Sequence, residues 1–239
     1  MPQGSSSVKA FDLGNIAGST AVSSRGRRTT IRRESQTFYI RYGKRVFDLV
    51  LAFLLLPLLL PIIAVLWAIT CRDGGPGFFG HRRVGRNGKP FLCWKIRSMV
   101  IDSEARLKQH LAENPEALVE WRESQKLTND PRITKLGAVL RATSLDELPQ
   151  IWNVLKGEMS FVGPRPVVRD EIRRYGELRT AYLSLKPGLT GLWQVSGRNE
   201  VSYDERVQMD VEYLTSASFV QDVVILCKTG GAVVNQTGH

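Results

Sequence analysis

Residues 44–73 read KRVFDLVLAFLLLPLLLPIIAVLWAITCRD, and how this stretch meets a membrane decides the fold. From Leu49 to Cys71 there is no charged side chain. An apolar run of that length is enough to cross a bilayer. Two prolines, Pro57 and Pro61, stand in its middle. Each lacks a backbone donor and collides with the carbonyl four residues back, so a helix break is expected there.

The flanks bear on whether the run crosses or turns back. Upstream stand Arg25, Arg27, Arg28, Arg32, Arg33, Arg41, Lys44 and Arg45, with Glu34 among them. Downstream stand Arg72, Arg82, Arg83, Arg86, Lys89, Lys95 and Arg97, with Asp73. Both flanks carry the basic excess of cytoplasmic segments. A helix that dips in and returns fits two such flanks better than one that spans, and spanning stays the alternative. Lys44 and Arg45 are expected at the membrane interface, where each cation contributes about 1 kcal/mol on an anionic leaflet.

The whole chain is basic as well. It has 33 Lys and Arg against 23 Asp and Glu, a net charge of +10 over 239 residues. That points to an anionic partner: nucleic acid, an anionic membrane surface or a phosphorylated substrate. Cys71, Cys93 and Cys227 form no CxxC pair, and His81, His110 and His239 have no metal-ligand spacing, so no zinc site is expected.

Three regions follow: a disordered basic tail over 1–38, a re-entrant membrane anchor over 39–72, and a cytoplasmic catalytic domain over 73–239. The fold class is α-dominated α+β. It has a helix-break-helix anchor, a mainly helical domain, one small β-hairpin and amphipathic interfacial helices. Asn87-Gly88 between Phe78-Phe79 and Phe91-Leu92-Cys93-Trp94 marks the hairpin. Helices are expected over 102–110, 115–126, 134–142, 168–184, 203–214 and 218–234, and 186–199 reads as a Gly-rich loop.

Two groups of residues could carry chemistry. Lys95, Arg97, Arg141, Arg165 and Arg198 lie on loops or element ends, many beside Gly or Pro, and are candidates for phosphate and nucleotide binding. The Gly163-Pro164-Arg165-Pro166 frame is rigid and aims Arg165. The second group is Asp146-Glu147. Ser144-Leu145-Asp146-Glu147 fits a Ser-x-x-Glu capping box opening a helix that ends near Gly157. It also fits a carboxylate nucleophile or metal ligand at a helix N-terminus, where phosphate is attracted. An aspartate is ionised at neutral pH and needs no base to attack phosphorus.

Six motifs in one order then resemble the bacterial sugar transferase family, the monotopic phosphoglycosyl transferases. They are Lys44-Arg45-Val46-Phe47-Asp48, Lys95-Ile96-Arg97-Ser98-Met99, Ser144 to Gln150, Asn153-Val154-Leu155-Lys156-Gly157, Ser160 to Pro166, and Lys186 to Gly191. The resemblance is nearest to the rhizobial exopolysaccharide initiators that use UDP-galactose. It implies transfer of a sugar-1-phosphate from a UDP-sugar to undecaprenyl phosphate, with UDP-glucose as the alternative donor. It further implies Mg²⁺ as cofactor, membrane lipid as surroundings, and the cytoplasmic face of the bacterial inner membrane as location. Asp146 matches the nucleophile and metal ligand, Glu147 its dyad partner, and Arg141, Arg165 and Arg198 the phosphate and nucleotide contacts. Pro61 matches the proline at the family's re-entrant break, with Leu60 in place of the usual serine. A homo-oligomer is left open. No nucleic acid is expected, because the arginines sit on Pro and Gly loops without aromatic interleaving. A scaffold protein would need these motifs only for packing.

Overall fold

The structure is a computed structural model that describes residues 38–124, 126–196 and 201–234. The expected basic tail lies outside the described residues except for Phe38. A π-helical turn, Tyr39–Gly43, runs into helix α1, Lys44–Thr70. Helix α1 continues without interruption through Pro57 and Pro61, so the expected break is corrected. Each proline removes one ladder bond. Leu55, Leu56, Leu59 and Ile63 on either side pack into the domain core, and that packing holds the helix across the gaps.

The packed residues of α1 recur every three or four positions, from Leu51 and Ala52 through Leu59 and Ile63 to Leu66. That spacing is one helix stripe. The other side exposes Val50, Phe53, Leu54, Leu58, Val65 and Ile69. With 27 residues α1 is about 40 Å long. By length and composition it is long and apolar enough to cross a membrane.

Both ends of α1 are tied to the same domain. Near the N-terminal end the buried Asp48 accepts from Ser160 Oγ at 2.9 Å and Phe161 N at 3.0 Å. Lys44 pairs with the buried Asp222 at 2.5 Å and donates to Tyr213 at 2.8 Å. Arg45 donates to the carbonyls of Val154 and Leu155 at 2.6 and 2.8 Å. Lys44 and Arg45, expected at the membrane interface, therefore point into the protein. At the C-terminal end Arg97 donates to the carbonyls of Thr70, Pro76 and Met99 and to the Asp73 carboxylate. Burial of a guanidinium is tolerated when its donors are satisfied in this way.

Beyond α1 come the hairpin strands β1, Phe78–Val84, and β2, Pro90–Ile96, in antiparallel register from Phe78↔Ile96 to Val84↔Pro90. Asn87 takes the left-handed turn conformation at φ 59. Helices α2, Ser103–Glu113, α3, Pro115–Ser124, and α4, Lys135–Ala142, follow. Thr134 caps α4 through Gly137 N at 2.8 Å. A 3-10 turn, Leu145–Gln150, leads into α5, Ile151–Lys156, which Gly157 ends at φ 80.

Strand β3, Ser160–Val162, then pairs in parallel with β4, Gly188–Thr190. Between them the single helix expected over 168–184 is divided into α6, Glu171–Arg174, a 3-10 turn, Gly176–Leu178, and α7, Arg179–Ser184. Gly176, at φ 52, makes the division. The expected loop at 186–199 holds β4 and helix α8, Leu192–Ser196. Helix α9, Tyr203–Ser216, opens with a Ser202–Glu205 capping box, and α10, Phe219–Val234, closes the described chain. Apolar side chains stay exposed at Trp152 on α5 and at Phe219, Val220 and Val224 on α10.

The main core gathers Ile96, Leu140, Val154, Met159, Phe161, Val162, Tyr213 and Ile225 together with the stripe of α1. A second cluster, Val84, Val167, Tyr175, Tyr182 and Val207, ties the hairpin tip to α7 and α9.

Candidate active site

Asp146 and Glu147 lie on the 3-10 turn that links α4 to α5. The capping box expected for them is absent. Ser144 is left-handed, at φ 58 and ψ 16, and its side chain makes no cap bond. An N-cap needs extended backbone to aim its oxygen at the next turn. Pro149 supplies no donor, so the α-helical ladder starts only at Ile151.

Lys95 on β2 reaches across to this turn. Its Nζ lies 2.7 Å from Glu147 Oε1 and 3.5 Å from Asp146 Oδ2. Asp146 is buried, with 6% of its surface exposed, whereas the Glu147 side chain is 40% exposed. Burial pushes the Asp146 carboxyl above its ordinary value; Lys95 opposes this and the Glu147 carboxylate adds to it. Burial would lower the Lys95 ammonium, but Glu147 and Asp146 outweigh burial and hold it above the ordinary value. The arrangement is one buried acid, one half-exposed acid and one cation shared between them.

Asn153 fixes the strand that carries Lys95. Its fully buried amide donates to Leu92 O at 2.7 Å and Glu158 Oε2 at 2.6 Å, and accepts from Trp94 N at 3.1 Å. A side-chain amide thus takes the place of a third strand beside β2, immediately before Lys95. The same residue stands in the first turn of α5, six positions after Glu147. Lys95 and the acids are therefore held in register by one side chain.

The acids and Lys95 line a cavity of about 860 Å³. Arg141 enters it from α4, and its Nε donates to Ser98 Oγ at 2.9 Å. Arg165 enters from the Gly-Pro-Arg-Pro segment and lies over the Trp193 ring, 5.9 Å from its centroid. That segment is held by Gly163 N to Thr190 O at 2.9 Å and Gly188 N to Pro164 O at 2.8 Å. The two chains approach so closely that a Cβ on Gly188 would lie 2.2 Å from Gly163 N. Glycine is required for that contact.

The sequence reading missed two further cations in the cavity, Arg83 and Arg132. Arg83 lies 3.6 Å from Glu171, and Arg132 is held by Asp130 at 2.6 Å. A signal for Arg83 was present: Phe79, His81 and Arg83 alternate on β1, and the pairing Phe79↔Lys95 puts them on the face of Lys95. Of the candidates, Lys95, Arg141, Arg165, Asp146 and Glu147 come together around the cavity. Arg97, also expected to bind phosphate, lines the cavity wall, and its guanidinium donates to Thr70, Asp73, Pro76 and Met99 in the corner below α1. Arg198 lies outside the described residues.

Among the described residues no group of three or more His, Cys, Asp or Glu could hold a metal ion. Mg²⁺ does not require one, because it binds through one or two carboxylates, waters and substrate phosphates. Lys95 takes Asp146 Oδ2 and Glu147 Oε1. Asp146 Oδ1 and Glu147 Oε2 are left to other ligands, so this donor set fits a magnesium ion shared with a diphosphate.

Residues 39–236 match the family described as Bacterial sugar transferase. The chain is 52% identical over 198 residues to an undecaprenyl-phosphate galactose phosphotransferase of Salmonella typhimurium, covering 83% of this chain and 42% of that protein. It is 49% identical over 197 residues to the exopolysaccharide production protein ExoY of Rhizobium meliloti, covering 82% of this chain and 87% of that protein. It is 39% identical over 198 residues to a UDP-glucose:undecaprenyl-phosphate glucose-1-phosphate transferase of Escherichia coli, covering 79% and 39%. The chain thus spans about two fifths of the Salmonella and E. coli relatives and most of the rhizobial one.

Proposed function

Because the chain belongs to the bacterial sugar transferase family, we propose that it moves a sugar-1-phosphate from a UDP-sugar to undecaprenyl phosphate, releasing UMP. This is the first membrane step of exopolysaccharide assembly. The observation that carries the reading is the buried Asp146, paired with Glu147 and Lys95 in a cavity entered by four arginines. Galactose-1-phosphate is the favoured group, since identity is 52% to the galactose-named relative and 39% to the glucose-named one. UDP-glucose is the alternative donor.

In the reaction, Arg141, Arg165, Arg83 and Arg132 supply the positive field that receives the diphosphate. An Asp146 oxygen attacks the phosphorus that carries the sugar, and the bond from that phosphorus to the UMP oxygen breaks. Glu147 and Lys95 hold the attacking carboxylate in place. An oxygen of the polyprenyl phosphate then attacks the same phosphorus. The Asp146–phosphorus bond breaks, leaving a polyprenyl diphosphate sugar. Asp146 and Glu147 would hold Mg²⁺, which when bound would supply charge screening for the diphosphate. Two displacements at one site give ping-pong kinetics.

One substrate is soluble and the other stays in lipid, so the site belongs at a membrane surface. Tethering of both ends of α1 to one domain supports a chain that enters the cytoplasmic leaflet of the inner membrane and does not cross it. A crossing helix would put its two ends on opposite sides of about 30 Å of hydrocarbon, where one folded domain could not bind both. Cysteines placed at Val46 and at Ile69 are expected to label from the same side of sealed vesicles; opposite sides would refute this topology. The activity is tested by UMP release from a panel of UDP-sugars with undecaprenyl phosphate in membranes. Release is expected with UDP-galactose, and no release from any sugar would overturn the function.

A further inference from the structure

The cavity has an apolar edge that the charged chemistry leaves unused. Pro76, Phe79, Met99 and Ile101 line it there. Phe79 is 52% exposed and Ile101 60%. Large apolar side chains grouped at the mouth of a polar cavity mark a contact surface. Resting on the reading above, we propose that this edge is the doorway through which the polyprenyl chain leaves the cavity for the lipid.

The anchor lies one strand away. Phe78 and Phe79 point to opposite faces of β1. Phe78 stacks on Trp67 of α1, with ring centroids 6.4 Å apart, while Phe79 faces the cavity. Gly77 lies so close to the anchor that a Cβ would be 2.3 Å from Trp67 Cδ1. Gly75 presses on Ile101 in the same manner, at 2.6 Å. Arg97 binds the end of α1, the Gly75-Pro76-Gly77 segment and Met99 into one unit, so the edge has a fixed position beside the anchor.

The occupant follows from the two surfaces this edge joins. On one side is an apolar helix face continuing through Trp67 and Ile69, and on the other are Lys95, Arg141 and the acids. A ligand that crosses the edge has an anionic head and an apolar tail that remains in the membrane. The exposed apolar patch at Phe219, Val220 and Val224 does not serve. It lies at the other end of α1, where Phe219 meets Phe47 at 5.3 Å, and none of the three lines the cavity.

The test uses the full chain in nanodiscs and a polyprenyl phosphate carrying a diazirine on its first isoprene unit. Cross-links are expected at Phe79 and Ile101 and should be displaced by unlabelled polyprenyl phosphate. Cross-links confined to Phe219–Val224 would overturn the doorway. In parallel, Ile101→Gln is expected to raise KM for the polyprenyl phosphate about tenfold, by loss of apolar contact. Single-turnover UMP release should stay at the wild-type rate. An unchanged lipid KM would also overturn it. Wild-type protein that cross-links at the edge but releases no UMP would keep the doorway and sink the reaction. Normal release with cross-links elsewhere would sink the doorway alone.

Discussion

Replacing Lys95 by Met removes the one cation shared by the two acids. Its Nζ stands 3.5 Å from Asp146 Oδ2, and its side chain is 28% exposed. Unit charges at that separation interact by about 4–5 kcal/mol at an effective dielectric of about 20. Water that enters the vacated volume recovers about half, leaving about 2 kcal/mol, or about 1.5 pH units. The direction is fixed. Burial already holds Asp146 above the ordinary carboxylate value, and Lys95 is the leading force that lowers it. Without Lys95 the carboxyl protonates at still higher pH. If ionised Asp146 is the attacking group, UMP release rises as pH climbs through its pKa. The acid limb of single-turnover UMP release should therefore move up by about 1–2 pH units in Lys95→Met. Lys95→Arg should keep the limb near its original position. A limb that stays put while only the plateau rate falls would refute this reasoning and leave Lys95 as a phosphate contact alone.

Three further outcomes concern the frame around the site. Asn153→Leu leaves Leu92 O, Trp94 N and Glu158 without their buried partner and should cost about 2–4 kcal/mol in detergent unfolding. Lys44→Met strands the buried Asp222 with only its two tyrosine donors and should cost about 3 kcal/mol; adding Asp222→Asn should cost less than the sum of the singles. Burial pushes Asp210 up to about 7 against the opposing hydrogen bond from Tyr175. Because its folded value is raised, its stabilising contribution is full below the unfolded value of 3.8 and is lost as pH rises toward 7. Melting curves from pH 5 to 8 should therefore decline for the native chain and flatten for Asp210→Asn.

The elements written in local sequence were legible. The hairpin follows from Asn87-Gly88 between apolar runs, and the helix expected over 134–142 is α4. The break at Pro57 and Pro61 was a local inference that tertiary packing of the α1 stripe overrode. The β3–β4 pair was hidden because each strand has three residues and the partners are 28 positions apart, Ser160 facing Gly188. Asp146 and Glu147 were legible as residues but not in their setting. A Ser-x-x-Glu pattern promises a cap, and only the chain path shows Ser144 in a conformation that cannot cap. Lys95, Arg97 and Arg45 illustrate the same limit. Sequence marks all three only as cations at element ends or beside the anchor. Burial and partners decide that the first faces the acids while the other two bind backbone carbonyls.

In the proposed reaction Asp146 becomes covalently bonded to the phosphosugar. Incubating the chain with UDP-galactose in the absence of polyprenyl phosphate, then measuring intact mass and mapping peptides, tests it most directly. A hexose-phosphate adduct is expected on the peptide bearing Asp146, formed with stoichiometric UMP release, discharged by undecaprenyl phosphate and absent from Asp146→Asn. UMP release that begins only when the lipid acceptor is added, with no adduct at any stage, would contradict it.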